Sequence, residues 1–179
     1  ISIGFISLNE DGSLMAYGQS NAGSDWTDIY VMDVATGKIH DEVLKWVKFS
    51  GVDWSPKSDG FYYSRYPKPV EGKEFENENN NQKLFFHKLN TPQEKDTLIY
   101  EDSLNPEYSP YTIITNDHKY LILGKWHGTS KNNTMYFRPL GSNQEFIPLI
   151  DEWIASMNFI GNDGDIFLSL IHISEPTRH

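Results

Sequence analysis

Cysteine is absent from the chain. That excludes disulfides and thiolate metal sites and suits a reducing compartment. No apolar run approaches the roughly 18 residues that a membrane-spanning helix needs. The residues after Ile1 show neither the basic start nor the apolar stretch of a signal peptide. A soluble, cytoplasmic protein is therefore expected. There is no initiating Met, so the native N-terminus is expected to lie upstream or to have been removed. Positive charge is scarce: 15 Lys and Arg face 25 Asp and Glu, a net charge of −10. Nucleic acid is bound largely through Lys and Arg contacts to phosphate, so this balance argues against it. An acidic surface aids solubility and eases the approach of cationic or neutral partners.

Catalytic patterns are also missing. The chain has no Gly-x-Ser-x-Gly turn, the strained elbow that exposes a nucleophilic serine. It has no glycine loop for phosphate. The six histidines form no Glu-spaced pair and no ligand cluster, so no metal and no cofactor are expected. His40, His87, His118 and His127 read as ordinary surface or strand residues. Asn132-Asn133-Thr134 fits a glycosylation acceptor, a weak pattern that needs secretion to matter.

What is present is repetition. Across 179 residues, 38% apolar and 14% aromatic content is enough for one folded domain. Four Asp-centred turns each precede a strand-like run. Asn9-Glu10-Asp11-Gly12 precedes Leu14-Met15-Ala16-Tyr17, and Lys57-Ser58-Asp59-Gly60 precedes Phe61-Tyr62-Tyr63-Ser64. Thr115-Asn116-Asp117-His118 precedes Tyr120-Leu121-Ile122-Leu123, and Gly161-Asn162-Asp163-Gly164 precedes Asp165-Ile166-Phe167. The Asp anchors are 48, 58 and 46 residues apart. Three turns use Asp-Gly, where Gly accepts positive φ and Asp bonds nearby backbone.

Apolar runs at 1–8, 49–54, 111–114 and 157–160 precede the anchors. Third runs follow at 29–34, 83–89 and 134–140, and fourth runs at 39–43, 97–100 and 145–150. The unit is thus four short antiparallel strands, the size of a propeller blade. The dense β-branched and aromatic residues of Ile29-Tyr30-Val31-Met32-Asp33-Val34 favour strand over helix. A β-sandwich also has closely spaced strands, but the recurring four-strand unit favours a propeller. An all-β partial propeller is expected, with blades at 1–46, 47–104 and 105–152 and the start of a fourth at 153–167. Residues 67–82, rich in Pro, Glu and Asn, read as a polar surface excursion.

Residues 168–179 stand apart. Leu-Ser-Leu-Ile-His-Ile-Ser-Glu-Pro-Thr-Arg resembles the translation of a transposase sequencing adapter over 168–178. The native frame is expected to end near Phe167 and the parent protein to continue beyond it. The apolar part of the string is nevertheless able to pair as a strand.

The chain resembles the prolyl oligopeptidase family over nearly all of 1–167. The resemblance is carried by Leu14-Met15-Ala16-Tyr17-Gly18-Gln19-Ser20, Gly23-Ser24-Asp25-Trp26 and Ile29-Tyr30-Val31-Met32-Asp33. It continues in Val47-Lys48-Phe49-Ser50 with Trp54, in Phe61-Tyr62-Tyr63-Ser64-Arg65-Tyr66-Pro67 and in Gln82-Lys83-Leu84-Phe85-Phe86-His87. Gly-Ser-Asp-Trp is the most specific of these elements. The resemblance implies a serine peptidase that cleaves short peptides after proline. In that family a seven-bladed propeller caps an α/β-hydrolase domain, screens out large proteins and contributes none of the catalytic triad. The expected partners are that hydrolase domain and short proline-containing peptides. The resemblance places Phe49, Ser109 and Thr129 in the pocket for the residue two places before the scissile proline. Phe49 keeps the family aromatic, whereas Ser109 and Thr129 replace a methionine and a cysteine and would make the pocket smaller and more polar. Trp26 is expected to pack between blades, and Asp25 to bond turn amides. The alternatives are a non-enzymatic binding propeller, disfavoured by the absence of Gly-His and Trp-Asp repeat signatures, and the propeller of a related hydrolase such as an acylaminoacyl peptidase.

Overall fold

A computed structural model describes residues 1–20, 24–69 and 79–172. Gly23 of the Gly-Ser-Asp-Trp element, most of the excursion at 67–82 and the last seven residues lie outside them. The chain enters with β1 (Ser2–Leu8), β2 (Leu14–Ser20), β3 (Thr27–Asp33) and β4 (Ile39–Val47). It continues with β5 (Val52–Trp54), β6 (Gly60–Arg65), β7 (Lys83–Lys88) and β8 (Thr97–Tyr100), then β9 (Tyr108–Ile114), β10 (Tyr120–His127), β11 (Thr134–Pro139) and β12 (Ile147–Ile150). It closes with β13 (Ser156–Asp163) and β14 (Ile166–His172). One turn of 3₁₀ helix, Gln93–Lys95, interrupts the strands among the described residues. Each strand pairs with its sequence neighbour, giving three four-stranded sheets and a final hairpin. This is the all-β, four-strand repeat expected above.

The chain divides into two compact units, Ile1–Tyr111 and Thr112–His179, with the division inside β9. In the first unit the core lies between the first two sheets. Ala16, Ile29, Val31, Leu44 and Val47 come from one, and Val52, Phe61 and Tyr63 from the other. Trp54 packs on this cluster, and its indole N–H donates to the Ser7 carbonyl at 3.2 Å. In the second unit Leu121, Ile122 and Leu123 are buried in succession along β10, so both faces of that strand are covered. Asn133 fastens β11 to β13: its side-chain oxygen accepts from the Met157 amide at 2.7 Å and its NH₂ donates to the Met157 carbonyl at 2.9 Å. Asn132 donates its side-chain nitrogen to the Trp153 carbonyl at 2.8 Å, so the nitrogen that a glycan would take is already engaged.

Three hairpins close with one hydrogen-bond pattern. The amides of Asn9, Ser55 and Thr115 donate to the carbonyls of Leu14, Gly60 and Tyr120. Their own carbonyls accept from Gly12, Ser58 and His118, and each of these three residues is left-handed, at φ 72°, 54° and 58°. Asp11 and Asp117 thus occupy equivalent positions, but Asp59 lies two places beyond the equivalent Lys57. The Asp59-Gly60 pair is not the same turn as Asp11-Gly12. Gly60 is required for another reason: a Cβ there would collide with the His87 carbonyl oxygen, which is backbone and has no room to move. Gly60→Ala is expected to cost about 1–3 kcal/mol through overpacking, measured by urea unfolding.

The turn carboxylates give the fold an acid limit. Asp11 is held below its ordinary value by the Ser13 side chain and amide, and Asp33 by the Thr36 hydroxyl and amide. Burial works against Asp117, but bonds from Thr115 and Asn162 outweigh it and hold it low as well. A depressed folded value stabilises above the unfolded value, about 3.9, and that stabilisation disappears as pH falls through the folded value. Unfolding followed against pH should therefore show stability falling below about pH 4. Asp33→Asn should blunt the fall without shifting its onset upward.

Candidate functional site

The end of β4 and its link to β5 carry two bulky residues in a constrained backbone. Trp46 and Phe49 are both left-handed, at φ 64° and 53°. Bulky L-residues avoid this region; each such residue costs on the order of 1–3 kcal/mol and persists only where its surroundings enforce it. Here they do. The Trp46 carbonyl accepts from the Tyr66 amide at 2.9 Å. The Lys48 carbonyl accepts from the Gln82 side-chain nitrogen at 2.9 Å, and the Ser50 hydroxyl oxygen accepts from the Ser64 amide at 2.9 Å. Lys48 is 8% exposed; its ammonium lies 4.1 Å from the centre of the Trp26 ring and donates to Asn79 at 3.2 Å. Phe49 itself is 57% exposed. The expected strand at 49–54 therefore starts only at Val52, because residues 48–51 follow this clamped loop.

Trp26 packs edge-on against Trp46 at 5.8 Å and Tyr66 at 6.1 Å. Trp46 lies one residue before the end of β4 and Tyr66 follows β6, so the ring lies between the first and second sheets, the structural place expected for it. The turn bond expected of Asp25 is made by Ser24, whose hydroxyl accepts from the Trp26 amide at 3.1 Å.

Ser109 stands at the start of β9, 4% exposed, with its hydroxyl hydrogen-bonded to Tyr66. Burial raises the Tyr66 phenol, and the Ser109 bond opposes that rise. Next to Ser109, the Pro110 carbonyl accepts from the Ser64 hydroxyl at 2.6 Å. Residues 64–66 therefore bond on one side to the loop that carries Phe49 and on the other to Ser109. Thr129 lies in the second unit, exposed in the turn after β10. Phe49 and Ser109 are thus connected through shared partners within the first unit.

A second cluster was not legible in the sequence. His87 is a strand residue with no exposure; its Nδ1 lies 2.7 Å from Asp96 Oδ1, and both side chains are 0% exposed. The Tyr63 hydroxyl donates to Asp96 Oδ2 at 2.6 Å. Burial, then the Asp96 carboxylate, pushes the Tyr63 phenol far up, so it stays protonated and a donor. Glu42 on β4 approaches His87 Nε2 at 3.5 Å and His40 Nδ1 at 3.4 Å, and accepts from the Asn90 amide at 2.5 Å. A groove of mixed charge runs along this edge, bordered by His40, Glu42, Lys45, Asn90 and Gln93. It follows β4 and the 90–94 segment rather than Phe49. Among the described residues no group of three or more His, Asp or Glu is arranged to hold a metal ion, and no helix is long and apolar enough to cross a membrane.

The family model described as the prolyl oligopeptidase N-terminal beta-propeller domain matches residues 1–175. The chain belongs to this family. Its strands are accordingly three four-stranded propeller blades and the start of a fourth. A prolyl endopeptidase of Elizabethkingia meningoseptica is 37% identical over 177 residues, covering 99% of this chain and 25% of that protein. A dual function macrocyclase-peptidase of Galerina marginata is 32% identical, covering 94% of this chain and 25% of its own. Among solved structures, Galerina marginata prolyl oligopeptidase B bound to a 35mer hydrolysis and macrocyclization substrate superposes with a TM-score of 0.85 at 29% identity, over 94% of this chain and 25% of that one. The propeller chain thus spans about a quarter of the length of these relatives.

Proposed function

We propose that this chain is the gating, substrate-filtering propeller segment of a serine prolyl endopeptidase that cleaves short peptides after proline. The observation that carries the reading is the match of residues 1–175 to the propeller family, together with relatives that are themselves named prolyl endopeptidases. The segment would be non-catalytic: its sequence holds no serine elbow, so Ser, Asp and His would come from an α/β-hydrolase domain of the same parent chain. The proposed setting is the cytoplasm, and the proposed substrates are proline-containing peptides. These matches favour this reading over a non-enzymatic binding propeller or an acylaminoacyl peptidase.

Phe49, Ser109 and Thr129 are proposed to face the peptide residue two places before the scissile proline. The exposed ring of Phe49, on a backbone held in a costly conformation, supports this role. Ser109 is buried and hydrogen-bonded to Tyr66, and would act by fixing that ring at the pocket wall. Thr129 would add a small polar surface. Residues 168–179 are proposed to be adapter-derived. Strand β14 covers 166–172 and pairs with β13, and the family match runs to 175. Alternating Leu168-Ser169-Leu170 satisfies strand pairing whatever its origin. Adapter codons in the source DNA are the expected result, and different codons there would contradict this origin.

Two tests bear on the activity. The coding sequence beyond this segment should carry Gly-x-Ser-x-Gly, then Asp, then His, in that order. In the full-length protein, Phe49→Ala should raise KM about tenfold for a peptide with a bulky apolar residue two places before proline, with kcat nearly unchanged. That is the size of one lost aromatic contact. An unchanged KM would remove Phe49 from the pocket.

A further inference from the structure

Phe49 is held in place from a distance, and the holding residues come from the close of the excursion at 67–82. Gln82 is 3% exposed and its NH₂ donates to the Lys48 carbonyl at 2.9 Å, across 34 residues of sequence. That carbonyl belongs to the peptide unit joining Lys48 to Phe49, so the bond fixes the plane from which the left-handed φ of Phe49 departs. Asn79 accepts from the Lys48 ammonium at 3.2 Å. The Asn81 amide donates to the Pro106 carbonyl at 2.6 Å, tying the same segment to the approach to Ser109. Without these contacts the peptide plane at Lys48 would be freer to relax toward an ordinary extended backbone at Phe49, and the ring would swing with it.

We infer that Gln82, assisted by Asn79, is a positioning residue that sets the Phe49 ring and thereby the selection of peptides at that position. The inference rests on the pocket reading of Phe49 given above. Gln82 touches no substrate. It fixes the peptide plane before Phe49, so its loss should weaken binding of peptides that use the ring and leave the chemical step alone.

The test uses the full-length peptidase and two post-proline peptides that differ only in having phenylalanine or glycine two places before the proline. Gln82→Ala should raise KM about fivefold for the phenylalanine peptide, the worth of one buried hydrogen bond. It should leave kcat and the glycine peptide unchanged. Asn79→Ala, at an exposed position, should shift KM the same way by a smaller factor, and it serves if Gln82→Ala fails to fold by circular dichroism. In a Phe49→Ala background, Gln82→Ala should add nothing, because both act through one ring. Gln82→Ala and Asn79→Ala leaving the ratio unchanged while Phe49→Ala alters it would overturn the inference alone, as would effects that add in the double variant. Phe49→Ala without effect on either peptide would overturn the pocket reading and the inference with it.

Discussion

Replacing His87 with leucine is expected to destabilise the first unit by about 1–3 kcal/mol, the cost of leaving a buried hydrogen-bonding group without one of its partners. His87 and Asp96 have no exposed side-chain surface and lie 2.7 Å apart. Leucine would fill much of the space next to Phe61, whose ring is 5.5 Å from the imidazole. It would leave Asp96 with the Tyr63 hydroxyl and no partner on the His87 side. Glu42 would lose its neighbour across the gap between β4 and β7. Domain stabilities are typically about 5–15 kcal/mol, so this one change reaches a sizeable part of the total. Urea unfolding of His87→Leu measures it. A second variant separates the charge from the packing. Adding Asp96→Asn to His87→Leu should recover part of the loss, because an amide is far cheaper to bury unpaired than a carboxylate. A loss below about 1 kcal/mol would show that the cluster is not a structural pin.

The isolated chain is also expected to self-associate. Ile3, Ile6 and Leu8 on β1 are 51%, 62% and 54% exposed, and Ile160, Ile166 and Leu168 on the last hairpin are 63%, 66% and 55% exposed. Contiguous apolar strands left open act as sticking surfaces, and repeat arrays without polar terminal units share this weakness. Sedimentation at rising concentration should show oligomers, with poor or non-cooperative melting. Ile3→Lys with Ile6→Lys should reduce the association, since edge lysines block strand addition. A monomer that melts cooperatively above body temperature would contradict this.

The repeat could be read from sequence because its signals are local. Alternation and turn residues lie within a few positions of the strands they define, and all four runs of the first unit's β1–β4 sheet were visible in this way. Strand pairing of 168–172 also followed from local pattern. What failed was decided at longer range. Phe49 reads as the first residue of a strand, but Gln82, Ser64 and Tyr66 pull its backbone out of one. Asp59-Gly60 reads as the same turn as Asp11-Gly12. Yet the left-handed residue is Ser58, and Gly60 is needed by the neighbouring strand. His87 looked unremarkable because its partners, Glu42 and Asp96, come from other segments of the chain. Resemblance supplied all three residues proposed for the pocket, and neither spacing nor composition pointed to any.

The proposed function has this propeller segment filter peptides for a post-proline peptidase. It is tested most directly by cleavage of one proline-containing sequence presented to the full-length protein in two forms, as a short free peptide and inside a stably folded protein. The account predicts cleavage after proline in the free peptide, loss of that cleavage when alanine replaces the proline, and no cleavage in the folded protein. Equal cleavage of both forms, or none after proline in either, would contradict it.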